Sequence, residues 1–447
     1  MKLNVKKSTL LAGDILVLYA SLYLTLLIHY GGKVTAEGWN VHLQPFTIIY
    51  GLWLIVFFIA GLYELSLARN SVNFYSILFQ ALIINASISI AFFYFLPFFN
   101  IAPKTNLFID LGIFTILFSL WRQFYNYIIK ISSLKNNVLI INKNHKDDET
   151  KQIAEIIENN PQFGYKIIAN IRPKEIQTPF DILETATQKN VKIIVTAIDP
   201  HQDARLVRSL YQCLPLKISF SDLPAFYEKI LGKVPLSSIG EMWFLENLTE
   251  SQKNFYEAIA RVLDIIGALI LGIITLPIMP LIAFTIKFNS DGPVFFTQRR
   301  MGQDGRIFKL IKFRTMTHEK TQTKAKWAPE EQHRITKIGR FLRKSRLDEL
   351  PQLLNILLGQ MSFIGPRPER IEFVQQLEQE IPYYQIRHLV KPGLTGWAQV
   401  NFHYGASVED SIEKLQYELY YIKHRSLVLD LSIILKTIKI VLKAAGK

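Results

Sequence analysis

The chain has 447 residues, of which 49% are hydrophobic and 20% are charged. Its mean hydropathy of +0.18 is rare for a soluble globular protein. Its 30 Phe and 19 Tyr exclude a disordered chain. The formal charge of +14, from 51 Lys and Arg against 37 Asp and Glu, indicates a membrane or a polyanionic partner. The single cysteine, Cys213, excludes a disulfide scaffold and a multi-cysteine metal site, and we expect it to be a small buried apolar residue.

The first 130 residues contain four long apolar runs with almost no charge. The runs cover residues 10–28, 46–63, 77–98 and 107–120, and the last continues with aromatic residues to 129. A helix of about 20 apolar residues crosses the bilayer core, so the pattern predicts a four-helix transmembrane domain over residues 1–134. A cleaved signal peptide is a poor alternative for the first run, because the run is long, lacks an evident small-residue cleavage site and is followed by three more.

Basic residues near the ends of these runs predict their orientation. One side of the bundle carries Lys2, Lys6, Lys7, Arg69, Arg122, Lys130 and Lys135, and the other side carries Lys33 and Lys104. Because Lys and Arg favour cytoplasmic loops, the amino terminus and residue 135 are predicted to lie in the cytoplasm. Asp14 and Asp110 fall inside the runs, where we expect helix packing or capping rather than transport.

Residues 135–250 show short β-rich runs that alternate with polar, helix-like stretches. Strands are predicted at 138–142, 166–171, 192–198 and 216–220, and helices at 148–159, 182–188 and 202–210. This alternation is typical of a small parallel α/β domain of the Rossmann-like type. A dinucleotide site would need glycines after the first strand, whereas residues 142–146 read NKNHK. The sequence therefore carries no signature of nucleotide binding in this domain, for which we expect a regulatory or interaction role.

A fifth apolar segment covers residues 262–286 and contains Pro277 and Pro280. Proline removes an amide donor and clashes with the preceding turn, so a bend is predicted. A full crossing would also place the basic residues that follow outside the cell, against the positive-inside bias. A re-entrant helix that breaks near the prolines and returns to the same face resolves both problems, and a kinked full span is the alternative.

Most of the net charge lies directly after this segment. Residues 287–347 contain 16 Lys and Arg against 5 Asp and Glu, so they contribute +11 of the +14. Nucleic acid is a poor match, since interleaved aromatics and a recognition-helix pattern are missing. Anionic lipid head groups and phosphorylated substrates fit better, and a solvated basic face accounts for many of these charges. Within FKLIKFRTM (308–316), Lys312 and Arg314 share one face if the segment is extended, which suits two contacts on a diphosphate.

An acidic pair, Asp348 and Glu349, follows the basic residues Arg340, Arg343, Lys344 and Arg346. The structural alternative makes Asp348 a helix N-cap, with Glu349 placed favourably against the helix dipole. The chemical alternative rests on cations that keep the carboxylates ionised, on the attraction of a helix N-terminus for phosphate, and on the rigid turn Gly365-Pro366-Arg367-Pro368. That turn presents a single guanidinium, so the chemical alternative predicts a phosphate-handling site.

Two further stretches end the chain. HLVKPGLTGWAQVN (388–401) is predicted to be a shaped loop, with Lys391 either a contact for an anion or part of an ordinary Gly/Pro turn. Residues 427–442 have an apolar stripe with Lys436, Lys439 and Lys443, which is typical of an amphipathic helix on a membrane surface. Packing of that helix against the domain is the alternative.

Taken in order, three motifs resemble one family. GPVFFTQRRMGQDGRIFKLIKFRTM (292–316), LDELPQLLNILLGQMSFIGPRPE (347–369) and KPGLTGWAQVN (391–401) are similar to the catalytic domain of the bacterial sugar transferases, the monotopic polyprenyl-phosphate glycosyl-1-phosphate transferases. The four apolar runs and the middle domain resemble the family's long form. The resemblance implies an α+β monotopic catalytic domain at residues 251–447, with the re-entrant helix at 262–286.

The resemblance also implies an enzyme that transfers a sugar 1-phosphate from a UDP-sugar to undecaprenyl phosphate at the bacterial inner membrane, with its catalytic domain in the cytoplasm. Asp348 would be the nucleophile that forms an aspartyl phosphosugar and releases UMP, and Glu349 would help to hold Mg²⁺. Pro277 matches the family's helix-breaking proline, although Leu276 stands where a serine is common and Pro280 is extra. The implied phosphate or nucleotide contacts are Lys312, Arg314, Arg343 and the Pro366-Arg367-Pro368 turn.

Such a product would initiate exopolysaccharide, capsule or O-antigen synthesis, and a homodimer is expected from the long-form resemblance alone. Two other classes of protein compete with this interpretation. A non-catalytic membrane scaffold or regulator of polysaccharide assembly explains the spans and the middle domain but not the acidic pair with Pro-Arg-Pro. A membrane protein that tethers nucleic acid explains only the charge, so no nucleic acid partner is predicted. The sequence does not identify the sugar that is transferred.

Overall fold

The computed structural model shows a mostly helical protein with several long apolar helices and a mixed α/β domain. It forms two compact units, residues 1–230 and residues 231–447. The residues that it describes are 3–64, 72–95, 104–130, 135–142, 148–172, 178, 180–198, 203–248, 253–317, 334–402 and 407–442.

The first unit begins with four apolar helices, as the hydropathy pattern predicts. They are α1 (Leu3–His29), α2 (Ala36–Ala60), α3 (Val72–Phe95) and α4 (Lys104–Lys130). Each is long and apolar enough to cross a membrane. Helix α2 starts ten residues before the predicted run, because the Thr35 side chain caps its first turn by accepting from the Gly38 amide. It ends at Ala60, and its C-cap residue Gly61 has a φ of 86°, a left-handed conformation that favours glycine.

Buried polar contacts join the helices α1, α2 and α4. Asp14 of α1 pairs with Arg122 of α4 at 2.6 Å. Asp110 of α4 accepts from Ser21 of α1 at 2.7 Å and from Tyr50 of α2 at 2.9 Å. Both carboxylates are fully buried and contact neighbouring helices, which is the packing role that we expect for them.

A parallel sheet follows in the first unit, in the order β2-β1-β3-β4. Its strands are β1 (Asn136–Ile141), β2 (Tyr165–Ile171), β3 (Ile193–Thr196) and β4 (Ser219–Asp222), and its helices are α5 (Asp148–Asn159), α6 (Asp181–Gln188), α7 (Ala204–Gln212) and α8 (Leu223–Leu231). The predicted alternation is therefore confirmed, and Cys213 is fully buried. Most of the NKNHK stretch, residues 143–146, lies outside the described residues.

The second unit combines helices with two small sheets. Its helices are α9 (Glu241–Asn247), α10 (Asn254–Thr275), α11 (Ile278–Asn289), α12 (Lys337–Lys344), α13 (Gln352–Leu357), α14 (Ile371–Glu380), α15 (Trp397–Asn401), α16 (Val408–His424) and α17 (Leu427–Leu442). The strands β5 (Phe295–Met301) and β6 (Ile307–Phe313) form an antiparallel hairpin. The strands β7 (Ser362–Ile364) and β8 (Gly393–Thr395) pair in parallel.

The fifth apolar segment is two helices, with the break at Leu276 and Pro277. Pro277 is the N-cap of α11, and Pro280 falls in its first turn, where a missing amide costs no helical hydrogen bond. Helix α10 begins at Asn254, eight residues before the predicted segment, and in these first turns Tyr256 donates to Asp430 at 2.7 Å. Beyond them its apolar side chains are exposed: Leu263 is 54% and Ile270 52% accessible.

Candidate active site

Asp348 and Glu349 lie in a 3-10 turn, Leu347–Glu349, between α12 and α13. Both side chains are buried, at 7% and 6% exposure. Arg346, just before them, has a φ of 59°, so the chain reverses there and turns the pair inward. The alternative in which Asp348 caps a helix is wrong, because α13 begins at Gln352 and its N-cap residue is Pro351.

Glu349 faces three cations. Its Oε1 atom lies 3.1 Å from Lys312 Nζ, 2.9 Å from Arg367 Nη2 and 3.5 Å from Arg346 Nη1. Burial raises the pKa of Glu349, but the attraction of Lys312, Arg367 and Arg346 outweighs it and holds that pKa well below its usual range. The lowered pKa favours the ionised form of Glu349, which pairs with all three cations.

Asp348 has the opposite electrostatic character. Burial and the negative charge of Glu349 raise the pKa of Asp348 to about 6, against the opposing attraction of Lys312, Arg343 and Arg367. Its Oδ1 atom is buried and has no hydrogen-bond partner among the described residues. We call this atom the open carboxylate oxygen. Adjacent carboxylates with pKa values pushed in opposite directions indicate different roles for the two groups.

Lys312 reaches the pair from strand β6. Burial lowers its pKa, although Glu349 opposes the shift. Asn355 of α13 fixes the strand: its Oδ1 accepts from the Ile311 amide at 3.2 Å, and its Nδ2 donates to the Lys309 carbonyl at 2.8 Å. The helix that follows the acidic pair thus also holds the strand that carries the lysine.

Arg314 makes contacts elsewhere. Strand β6 ends at Phe313, and the Arg314 guanidinium donates to the Ser290 carbonyl at 2.6 Å and to the Asp291 carbonyl at 2.8 Å. These bonds hold the turn that joins α11 to β5. The predicted contact between Arg314 and phosphate stays a prediction.

Arg343 approaches the site from α12. Its Nε donates to the Thr315 hydroxyl at 2.9 Å. Gly339, one turn earlier on the same face, permits this approach, since a Cβ atom there would lie 1.9 Å from the Thr315 carbonyl oxygen. The Thr336 side chain caps the helix by accepting from the Gly339 amide. The capped helix therefore holds Arg343 where its charge acts on Asp348.

The Pro366-Arg367-Pro368 turn is fixed through its carbonyl groups. The Pro366 carbonyl accepts from the Gly393 amide at 2.9 Å, the Arg367 carbonyl from Arg387 at 2.9 Å, and the Pro368 carbonyl from Arg300 at 3.0 Å. The Arg367 side chain is thereby directed at Glu349 rather than into solvent.

Sequence reasoning missed the residues behind this turn. Arg387 forms a buried bidentate pair with Glu418, with both N–O distances at 2.8 Å. Glu369 accepts from Lys414 and lies 3.8 Å from Arg300. The paired side chains are 31 to 69 residues apart in the chain, and no local pattern marks them.

The family resemblance implies Mg²⁺ at this site. No group of three or more His, Cys, Asp or Glu side chains able to hold a metal occurs in the described ranges. Mg²⁺ usually takes one or two protein carboxylates and completes its shell with water and substrate phosphates. Glu349 would supply one such carboxylate, while the open carboxylate oxygen of Asp348 stays outside the donor set as the candidate nucleophile.

Comparison with known proteins adds a family and several relatives. The family model for the bacterial sugar transferases matches residues 255–444, which include every site residue described above. A UDP-glucose:undecaprenyl-phosphate glucose-1-phosphate transferase from Xanthomonas campestris pv. campestris is 32% identical over 338 residues, which are 71% of this chain and 69% of the relative.

Two more relatives match over shorter stretches. A UDP-N-acetylgalactosamine-undecaprenyl-phosphate N-acetylgalactosaminephosphotransferase from Aeromonas hydrophila is 41% identical over 239 residues, 54% of this chain and 56% of the relative. A UDP-glucose:undecaprenyl-phosphate glucose-1-phosphate transferase from Escherichia coli (strain K12) is 29% identical over 300 residues, 64% of each chain. The matched region therefore spans less than two thirds of these two relatives.

Proposed function

The chain belongs to the bacterial sugar transferase family, and from this premise we propose that it transfers a sugar 1-phosphate from a UDP-sugar to undecaprenyl phosphate. The products are undecaprenyl-diphosphate-sugar and UMP, and the reaction initiates the synthesis of an exopolysaccharide, capsule or O-antigen. The names of the relatives support these two substrates.

One observation carries the chemical assignment: Asp348 keeps its open carboxylate oxygen beside cations that Glu349 collects. In the first step this oxygen attacks the sugar-linked phosphorus of the UDP-sugar. The bond from that phosphorus to the bridging oxygen breaks, and UMP leaves with the electron pair. An aspartyl phosphosugar results.

In the second step an oxygen of undecaprenyl phosphate attacks the same phosphorus. The bond between phosphorus and Asp348 breaks, the carboxylate is regenerated, and undecaprenyl-diphosphate-sugar leaves. The attacking phosphate is already ionised, so the step needs no general base. A single carboxylate thus serves both half-reactions.

The cations make the approach of two anions possible. We propose that Lys312, Arg343 and Arg367 lower the repulsion between Asp348 and the diphosphate and stabilise the charge on the transferring phosphoryl group. Arg314 is assigned to the same role by its place in the family motif. Glu349 would help to hold Mg²⁺, which, when bound, would neutralise charge on the diphosphate oxygens.

The membrane architecture suits a soluble donor and a lipid acceptor. We propose that α1–α4 span the inner membrane, that the parallel sheet forms a Rossmann-like domain in the cytoplasm, and that α10 and α11 form a re-entrant pair broken at Pro277. The exposed apolar side chains of α10 support its insertion, and the basic stretch that follows favours the cytoplasmic face. Helix α17 exposes Val428 and Leu431, at 81% and 57%, which supports contact with the membrane surface.

The experiment uses the purified full-length protein in lipid nanodiscs with undecaprenyl phosphate and either UDP-glucose or UDP-N-acetylgalactosamine. We expect UMP release with one of the two sugars, and a loss of about 10⁴-fold or more in Asp348→Asn, because removal of a catalytic nucleophile costs about that much. The matched control is Asp304→Asn, an exposed acid whose φ of 54° asparagine tolerates.

Three outcomes are informative. Single-turnover UMP release without undecaprenyl phosphate, with a sugar phosphate retained on the protein, supports the covalent step. A fully active Asp348→Asn variant overturns the nucleophile assignment. Absence of transfer with all UDP-sugars, together with binding to other assembly proteins, favours the alternative of a non-catalytic scaffold.

A further inference from the structure

Helix α10 contacts both elements that adjoin the acidic pair and the Arg367 turn. Arg261 donates to the Ile356 carbonyl at 2.6 Å and to the Leu357 carbonyl at 2.8 Å, at the carboxyl end of α13. One turn further on, Asp264 Oδ1 accepts from the Phe363 amide at 2.9 Å and from the Ser362 hydroxyl at 3.0 Å, at the start of β7. Two charged side chains of this largely apolar helix therefore bond two different elements.

Each of these elements leads directly into the candidate active site. Helix α13 starts at Gln352, immediately after the turn that carries Asp348 and Glu349. Strand β7 ends at Ile364, and the Pro-Arg-Pro turn follows. The contact between Arg367 and Glu349, 2.9 Å long, joins the far ends of the two elements. A shift of either element relative to α10 would therefore change this contact.

Close packing accompanies these hydrogen bonds between α10 and its neighbours. A Cβ atom at Gly267 would lie 2.9 Å from the Phe363 ring, so the helix already touches β7 at that point. Ala268 is 1% exposed and packs in one cluster with Ile356 and Met361. Arg261, Asp264, Gly267 and Ala268 thus form one face, which we call the docking face of α10.

The docking face contains charge where an apolar residue would cost less. Ionised groups beside hydrocarbon are expensive unless they are hydrogen-bonded, and Asp264 is only 6% exposed. Small apolar residues would pack there without that cost, but they would leave the Phe363 amide and the end of α13 without these partners. The charges therefore supply directional bonds that packing alone does not give.

We propose that Arg261 and Asp264 are positioning residues, through which the membrane helix α10 holds the Asp348–Glu349 turn and the Arg367 turn at a fixed separation. We call the hydrogen bonds of Arg261 to α13 and of Asp264 to β7 the two braces of α10. The braces are a property of the fold, whereas their effect on the rate of transfer rests on the proposed function. Because a misplacement of about 1 Å costs about 10²-fold in rate, loss of either brace slows transfer without removing any group that touches substrate.

The kinetic test compares Asp264→Ala with Asp264→Asn in the full chain in nanodiscs. Asp264→Ala is expected to lower kcat by about 10²-fold, and Asp264→Asn, which keeps an acceptor oxygen, to restore at least a tenth of the wild-type rate. Glu257→Gln is the matched control, since it removes a carboxylate of α10 that is 45% exposed and pairs with Arg425. We expect its rate to stay within about twofold of wild type.

A double-mutant cycle separates positioning from general stability. If Asp264 acts through Arg367, the double variant Asp264→Ala/Arg367→Ala is no slower than Arg367→Ala alone. Additive losses would show that Asp264 does not act through Arg367 and would overturn the proposal.

Backbone amide hydrogen exchange tests the role of Asp264 by a measurement that does not depend on enzymatic activity. In Asp264→Ala, amides at 362–368 are expected to exchange about tenfold faster, while those of α16 are unchanged. Unchanged exchange at 362–368 overturns the brace. If Asp264→Ala fails to fold, Arg261→Gln replaces it, with faster exchange expected at 352–358. A wild-type protein that turns over no UDP-sugar would defeat the proposed function, and the exchange result would still decide the brace.

Discussion

Each unit contains a buried group of charges, and the two groups differ in how the charges are matched. In the helical bundle, Asp14 pairs with Arg122, whose guanidinium also donates to the Leu62 carbonyl at 3.0 Å and lies 4.6 Å from the centre of the Phe118 ring. In the second unit, Glu349 collects Lys312, Arg346 and Arg367, and the open carboxylate oxygen of Asp348 lies beside them.

The difference shows what turns buried charge into a binding site. A guanidinium matched to one carboxylate and enclosed by aromatic rings has little charge left for a ligand, so the bundle pair joins helices. Cations that outnumber the neighbouring carboxylates leave a positive field at a buried position, which favours an anion such as a diphosphate. Changes to the first group should therefore alter stability, and changes to the second should alter catalysis.

The largest effect is expected in the bundle. Arg122→Met leaves Asp14 as an unpaired charge and should cost about 3–5 kcal/mol in the free energy of unfolding, because a buried carboxylate without its partner is poorly solvated. Adding Asp14→Leu to this variant should recover most of the loss. Thermal unfolding in nanodiscs measures both, and a rate per folded molecule that falls in Arg122→Met would contradict a purely structural pair.

In the second unit, Glu349→Gln removes one charge from the buried group, as Arg122→Met does in the helical bundle. It removes the anion that holds Lys312 and Arg367, and we expect a loss of about 10²–10³-fold in the rate of UMP release, similar to removal of an electrostatic stabiliser from other active sites. Glu413→Gln is the matched control, since its carboxylate is 41% exposed and pairs with Lys233 at 2.9 Å. A Glu349→Gln variant with wild-type rates would remove Glu349 from the site.

The pH dependence follows from the raised pKa of Asp348, about 6. The nucleophile must be ionised, so UMP release in the absence of undecaprenyl phosphate should fall about tenfold per pH unit below about 6. Unfolding does not explain such a loss, because a carboxyl whose pKa is raised in the fold contributes stability as the pH falls through that value. In Glu349→Gln the neighbouring negative charge is gone, so the midpoint should move to lower pH. A midpoint that does not move would show that Glu349 is not the cause.

Whether a feature of the fold or of the site could be predicted from the sequence depends on how far apart in the chain its contacting residues are. Apolar runs of bilayer length predicted the helices α1–α4, and the alternation of short runs predicted the parallel sheet, because both patterns are local. The proline pair predicted the break at Pro277 for the same reason. Asn355 and the Arg387–Glu418 pair carried no local signal, since each is defined by a partner 31 or more residues away.

Arg314 shows a second limit. A two-residue period places it on the face of Lys312, but the period holds only while the strand continues. Strand β6 ends at Phe313, one residue before Arg314, and the Arg314 guanidinium bonds the turn at Ser290 and Asp291. The end of a strand is set by its partner strand and the turn around it, which the sequence of the strand itself does not contain.

The smallest effect on catalysis is expected at Arg346, the most exposed of the three cations that pair with Glu349. Its guanidinium is 34% exposed and lies 3.5 Å from Glu349, so water and salt screen the pair, and such pairs contribute about 0.2–1 kcal/mol. Arg346→Asn removes the charge while asparagine tolerates the φ of 59°. We expect a loss of about two- to fivefold in the rate of UMP release that shrinks at high salt, with the free energy of unfolding unchanged.

Lys312→Met changes a cation of the same cluster that is only 19% exposed. Its loss in the rate of UMP release should be at least ten times larger, because burial leaves the charge of Lys312 unscreened. Equal losses in the two variants would mean that the number of cations, rather than their burial, determines the field at Asp348.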